Sequence, residues 1–219
     1  MVILRLAVAL FLVQSGFHAY TASMPLALGR AGVADASIGL VMGVAAIVQI
    51  PAAILGGRLL DAFGGSRLFT VAGFAYLAAT GILLLPGVEP GGSLVPYVAA
   101  RVLQGIGIGL ALPAALSLVP MLLPSARQAS GLAYVGAAHN LTLVVMPPLS
   151  IALLNAGSLD GVGLLVIVVV LVALVLGTGL PARQVPTAAM AAATRAATYG
   201  ARLPPGWTPG SSRIPVAAR

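Results

Sequence analysis

The sequence predicts an all-α polytopic membrane protein with six transmembrane helices. The chain has 219 residues, of which 60% are hydrophobic and only 7% are charged. Soluble domains carry about 25% charged residues, so this chain is too poor in charge to cover a water-exposed surface. Its apolar residues run in long stretches without the alternation of barrel strands. Because only helices and closed barrels satisfy their backbone groups in hydrocarbon, these stretches are predicted to be helices.

Six stretches are long enough to cross a bilayer core of about 30 Å, which takes roughly 20 residues in a helix. Short segments rich in Gly, Pro, Ser and Asn separate them, as expected for turns. A cleaved signal peptide is the alternative for the first stretch, but its apolar run is longer than a usual signal segment. The predicted spans are Val2–Leu28, Ser37–Leu59, Leu68–Leu85, Leu94–Leu123, Gln128–Leu154 and Leu159–Leu180.

Two segments of different composition follow from this count. Residues 1–180 are predicted to form a six-helix transmembrane bundle. From residue 181 onward the chain is rich in Ala, Thr, Pro, Gly and Arg. Residues 181–219 are therefore predicted to be a largely disordered cytoplasmic tail. The alternative is an interfacial helix held by Arg195, Arg202 and Trp207.

The arginines predict the orientation of the chain. All eleven basic residues are Arg, and the net charge is +7. Arg30 lies on one side of the six-span arrangement and Arg101 within a span, whereas the other nine arginines fall on the opposite side. Cytoplasmic loops carry the excess of basic residues, so both termini are predicted to be cytoplasmic in an inner cell membrane. Since the arginines are scattered singly, a nucleic-acid partner is excluded.

The residues that carry most enzyme chemistry are scarce. There is no cysteine, and neither a P-loop nor a metalloprotease motif is present, so no enzyme activity, metal or cofactor is predicted. No carboxylate lies within a predicted span, where proton-coupled carriers usually hold one. In place of such a carboxylate only His18 and His139 could serve, so the chain by itself offers no support for proton coupling. The four acids lie at span edges or in loops: Asp35, Asp61, Glu89 and Asp160.

The connection after the second span is the first unusual motif. It is predicted to be a tight cytoplasmic loop that gates the bundle, with Asp61 capping a neighbouring helix or pairing with an arginine. The glycines allow a sharp reversal of the chain. The alternative is a solvated loop whose arginines only set the topology. The residues of this predicted gating loop are Gly57, Arg58, Asp61, Gly64 and Arg67.

The fourth span contains the second unusual motif. Arg101 lies about 10 Å inside the span at 1.5 Å per residue, and Gln104 lies one turn further on the same face. An unmatched Arg at such depth costs at least roughly 2.5–3.5 kcal/mol, so it is expected to face the bundle interior as a polar link. Snorkelling to the near interface is the alternative. Gly105 and Gly109 form a small-residue face suited to close helix contact.

These two motifs together resemble those of a known family of transporters. Gly57-x-x-x-Asp61-x-x-Gly64 resembles the loop signature of the major facilitator superfamily, and Arg101-x-x-Gln104-Gly105-x-Gly107 resembles its helix 4 signature. The loop departs from the family pattern because Ala62, Gly65 and Ser66 stand where basic residues are usual. The resemblance implies one half of a fold in which two six-helix halves surround a midplane substrate site.

The resemblance also implies which side chains contact the substrate. Helix 1 lines the cavity in this family, and Gln14 and His18 lie one turn apart on it. A satisfied structural histidine is the alternative for His18. His139 and Asn140 are adjacent and point about 100° apart, so at most one of them faces the cavity squarely. Asn140 is taken as the third cavity candidate.

The implied function is secondary active transport of a small solute, in the direction of efflux, by alternating access. The implied partners are the solute, the lipid bilayer and a second six-helix half, supplied by another gene or by a second copy of the chain. The alternative is a truncated or half-size membrane protein that transports nothing, or a partner subunit.

Overall fold

A computed structural model describes residues 1–180, and these residues form α-helices and contain no strand. All six helices are long and apolar enough to cross a membrane, so the predicted six-helix class is confirmed. The predicted tail, residues 181–219, lies outside the described part of the chain. The helices are α1 (Val2–Arg30), α2 (Asp35–Phe63), α3 (Gly65–Leu83), α4 (Val95–Leu122), α5 (Ser125–Ala156) and α6 (Leu159–Gly177).

The connection between α2 and α3 is shorter than the sequence predicts. Helix α2 continues to Phe63, and α3 begins at Gly65, so Gly64 alone separates the two helices. Gly64 has φ +81°, a conformation that a residue with a Cβ adopts only at a cost. A Cβ on Gly65 would lie only 2.8 Å from the carbonyl oxygen of Ala114, so this turn packs directly against α4.

The prediction of a loop between Leu59 and Leu68 is therefore wrong in extent, because a single residue connects the two helices. Gly57, Arg58 and Asp61 lie in the last two turns of α2, and Arg67 lies in the first turn of α3. The reason is that the single left-handed Gly64 reverses the chain, so no extended segment is needed.

Contacts at the helix ends show that α1 runs antiparallel to α6 and parallel to α5. Arg5, at the start of α1, donates hydrogen bonds to the carbonyl oxygens of Leu176 (2.7 Å) and Thr178 at the end of α6. At the opposite end of the bundle, Arg30 donates to Asn155 Oδ1 over 2.6 Å and so links the ends of α1 and α5. We call these two ends the arginine-rich end, with Arg5, Arg58, Arg67 and Arg127, and the acidic end, with Asp35, Glu89 and Asp160.

Helices α1 and α4 form the centre of the bundle. Helix α1 packs mainly against α5 and α6, and α4 packs mainly against α2 and α3. The outer faces of the surrounding helices carry large exposed apolar side chains, such as Ile47 and Ile54 on α2 and Val144 on α5. Lipid tails solvate such faces, whereas water would not, and this surface therefore suits a bilayer.

Two glycines bring α2 and α4 into backbone contact. A Cβ on Gly105 would lie 2.7 Å from the carbonyl oxygen of Ala45. A Cβ on Gly109 would lie 2.7 Å from Ala52 Cβ and 2.9 Å from the carbonyl oxygen of Gln49. All three distances are too short for a real Cβ atom, so the crossing depends on the absence of side chains at these two positions. The same crossing holds Arg101, one turn before Gly105, against α2.

Candidate functional site

A group of polar side chains lies inside the bundle, where four helices meet. Helices α1, α3, α4 and α5 all contribute to it, and most of its members are buried. Polar groups in this position are costly unless they pair with one another or serve a solute. We call this group the polar cluster; it consists of Gln14, His18, Tyr76, Arg101, Gln104 and His139.

Gln14 is the link between three helices. Its amide nitrogen lies 2.9 Å from Nδ1 of His139, and its amide oxygen accepts a hydrogen bond of 3.0 Å from the hydroxyl of Tyr76. Because the amide oxygen faces Tyr76, the amide nitrogen is the donor to His139. The neutral ring of His139 then carries its proton on Nε2. Gln14 thus ties α1 to both α3 and α5 through one fully buried amide.

Tyr76 occupies a slot that two glycines leave open. A Cβ on Gly16 of α1 would lie 3.0 Å from the Tyr76 side chain, and a Cβ on Gly107 of α4 would lie 2.7 Å from its ring. A larger residue at Gly107 would force the ring to move, and one at Gly16 would press against it, so both glycines shape the position from which Tyr76 bonds to Gln14. The sequence contains no signal for Tyr76 itself, but Gly107 belongs to the helix 4 motif and marks the slot.

The side chain of Arg101 lies in the interior of the bundle and does not snorkel to the near membrane interface. Its side chain is 2% exposed. Its Nη1 donates to Gln104 Oε1 over 2.7 Å, and its Nη2 donates to the backbone carbonyl of Met42 over 3.3 Å. Its Cζ lies 4.8 Å from the centre of the Phe17 ring, within the range of a cation–π contact. The guanidinium therefore connects α4 to α2 and α1.

Several buried polar atoms of the cluster have no hydrogen-bond partner among the described residues. They are both ring nitrogens of His18, Nε of Arg101 and Nε2 of Gln104. The His18 ring has only edge contacts, with centroids 5.2 Å from Phe17 and 5.7 Å from His139. Unpaired buried polar groups are rare in native proteins and call for an explanation, such as a ligand or a role in function. The cluster thus contains buried polar atoms whose hydrogen-bonding capacity is not used within residues 1–180.

The structure brings together some of the sequence candidates and leaves one apart. Gln14, His18, Arg101 and Gln104 all lie in the polar cluster. Asn140, by contrast, is exposed and forms no hydrogen bond within residues 1–180. Its neighbour His139 faces the cluster instead, because successive helix residues point about 100° apart. The sequence predicts that at most one of His139 and Asn140 faces inward, and the packing of α5 on α1 determines that it is His139.

The residues of the predicted gating loop lie at the arginine-rich end, and none of them belongs to the polar cluster. Gly57, Arg58, Asp61 and Arg67 are exposed, and Gly64 is buried in the turn. No hydrogen bond or ion pair to Asp61 is formed within residues 1–180, so the expected pairing with an arginine is not present there. Arg67 lines an apolar cavity of about 290 Å³ together with residues of α2, α3 and α4.

Comparison with known proteins matches a large part of the chain. The family model of the Major Facilitator Superfamily matches residues 6–213. One curated protein, efflux pump terG of Aspergillus terreus (strain NIH 2624 / FGSC A1156), is 39% identical over 66 residues. This alignment covers 30% of the present chain and 12% of the relative, so the chain corresponds to a small part of that protein's length.

Proposed function

Because the chain belongs to the major facilitator superfamily, we propose that it transports a small solute by alternating access, in the direction of efflux. Members of this family are membrane transporters rather than enzymes, and the six apolar helices fit a multi-pass membrane protein. Efflux is supported by the name of the curated relative, which aligns with this chain over 66 residues.

The polar cluster is the observation that carries this proposal. A charged group in the membrane costs at least about 2.5–3.5 kcal/mol, and such groups mark solute and ion pathways. The bonds from Gln14 to His139 and from Arg101 to Met42 cross between helices. A solute that offers its own donors or acceptors can replace them, and the helices are then free to shift. This exchange of contacts is how binding drives alternating access.

We further propose that the transporting unit contains a second six-helix half. Transporters of this fold place the solute site at the interface of two halves. The acidic side chain of Asp61 is exposed at the arginine-rich end and is available to a cation on that second half. Asp61, with the turn at Gly64 and the flanking Arg58 and Arg67, would then close the cytoplasmic side of the cavity.

The DNA on both sides of the coding region and a flux assay test this function. We expect six further spans to be encoded either in the same reading frame or in an adjacent gene. Inverted vesicles that contain both halves should accumulate members of a panel of labelled small solutes when the membrane is energised. Vesicles without the present chain are the control. Equal accumulation with and without it, at equal abundance of the second half, would favour a half-size protein that transports nothing.

The orientation can be tested with single cysteines, because the chain contains none of its own. Ala34 at the acidic end and Ala126 at the arginine-rich end are both exposed. We expect a membrane-impermeant maleimide to label Ala34→Cys in intact cells and Ala126→Cys only after permeabilisation, since arginine-rich ends stay in the cytoplasm. Labelling of Ala126→Cys alone in intact cells would reverse the proposed orientation.

A further inference from the structure

We propose that the solute bound at the polar cluster is an anion, and that its carboxylate binds to Arg101 and Gln104. This inference rests on the transport function proposed above and adds the chemical class of the solute. It follows from an unbalanced buried charge and from unpaired donors, next to two side chains that are only partly buried.

The charge of Arg101 has no counterion inside this bundle. Its guanidinium contacts the amide oxygen of Gln104, the carbonyl oxygen of Met42 and the ring of Phe17, all of which are neutral. A buried charge is costly unless it is paired. The chain has four acidic side chains, and each lies at a helix end or in a loop: Asp35, Asp61, Glu89 and Asp160. The chain therefore supplies no side-chain carboxylate at this depth, and an anion from outside would complete the pair.

The unpaired atoms of this site include the donors that a carboxylate needs. Arg101 Nε and Gln104 Nε2 are buried without a hydrogen-bond partner in the described part of the chain, and both can only donate. A carboxylate accepts at both oxygens and so can take hydrogen bonds from two such donors. A cationic solute would meet the charge of Arg101 and find no acceptor with a negative charge. His18, with two unpaired ring nitrogens, offers one further donor.

The site also borders the surface of the bundle. Arg101 and Gln104 are themselves buried, but Met42 and Phe17, which contact Arg101, are only partly buried. A solute can therefore reach the guanidinium by displacing side chains rather than by separating packed helices. The contact between Arg101 and Met42 is the longer of its two hydrogen bonds and is the one most easily exchanged.

Binding of simple carboxylates to the purified chain in lipid nanodiscs tests the inference without requiring transport. Sodium acetate and sodium benzoate are the probes, and benzyl alcohol is the uncharged control for partitioning into the bilayer. Thermal unfolding is followed by the loss of helical circular dichroism. A ligand that binds only the folded state raises the unfolding temperature as its concentration passes Kd. We expect at least one carboxylate to raise it in a saturable manner, and benzyl alcohol to have no such effect.

Three variants test whether carboxylate binding depends on Arg101. Arg101→Gln removes the charge and should weaken carboxylate binding by about tenfold or more, since charge-assisted hydrogen bonds are the strong ones. Arg101→Lys keeps the charge but loses the unpaired Nε, and should show an intermediate effect. Arg127→Gln removes an exposed charge at the arginine-rich end and should bind as the unmodified chain does.

The outcomes separate this inference from the proposed function. If neither carboxylate shifts the unfolding temperature, or if Arg101→Gln responds as strongly as the unmodified chain, the anion site does not exist. Transport of cationic or neutral solutes could still be found in that case. Carboxylate binding that depends on Arg101, with no solute flux in any vesicle, would confirm the site and refute transport.

Discussion

Arg101→Ala is expected to reduce transport to background while the chain still inserts into the membrane. The substitution removes the bonds to Gln104 and Met42 and the contact with Phe17, so α4 loses the contacts that this side chain makes with α2 and α1. It also removes the group proposed to hold the solute. Hydrogen bonds to charged groups contribute about 1.5–3 kcal/mol each, which corresponds to roughly a tenfold to a hundredfold loss of flux for each bond.

Insertion should improve rather than fail in this variant. An Arg in a span costs at least about 2.5–3.5 kcal/mol on insertion scales, and Ala carries no such cost. Flux into inverted vesicles is therefore measured at equal amounts of membrane-extracted protein. Arg127→Ala is the matched control, because it removes an exposed charge outside the cluster and should retain flux. Unchanged flux in Arg101→Ala would show that the cluster has no part in transport.

Gly105→Val and Gly109→Val are expected to separate α2 from α4 and to destabilise the bundle. The Cβ of each new side chain would lie 2.7 Å from atoms of α2, and at Gly105 the nearest atom belongs to the rigid backbone. Overpacking of this kind costs typically about 1–3 kcal/mol. Since Gly105 lies one turn from Arg101, the displaced helix should also lose the bond from Arg101 to Met42, and transport should fall with stability.

The thermal unfolding of the detergent-purified variants measures this effect. Gly136→Val on α5 is the control, because a Cβ at Gly136 meets no atom within 4 Å. It changes the same residue type within a helix and should leave stability nearly unchanged or raise it, because Gly is a poor helix former. If the variants at Gly105 and Gly109 unfold at the same temperature as Gly136→Val, the contact between α2 and α4 does not limit stability.

Hydropathy alone was sufficient to predict the helices. Runs of about 20 apolar residues have one stable backbone conformation in hydrocarbon, so their number and approximate positions follow from composition. The end of α2 was predicted four residues too early, at Leu59 instead of Phe63. The segment from Leu59 to Phe63 contains the charged Asp61 and resembles a loop in sequence. The left-handed turn at Gly64 nevertheless lets α2 and α3 continue into the membrane–water interface.

Some members of the polar cluster were predicted from the sequence and others were not, and this difference has a physical cause. Arg101 and Gln104 were recognised because a charge inside a span is costly and rare, which makes it visible in a sequence. Tyr76 was missed because a tyrosine in an apolar helix carries no such signal. Asn140 was predicted to face the cavity, but His139 faces the cluster instead, because the two side chains are both polar and adjacent and only the packing of α5 distinguishes them.

The sequence by itself determined the membrane class, the number of helices and the single buried charge, because each depends on the cost of moving residues from water into hydrocarbon. Only the tertiary structure decided which polar side chains meet. That outcome depends on how the helices rotate and cross, which glycines such as Gly105 and Gly107 control through contacts between residues distant in the chain. The tertiary structure places His139 beside Gln14 and leaves Asp61 without a partner in the described bundle. It also leaves buried donors at Arg101 and Gln104 without acceptors, which is the basis for proposing an anion.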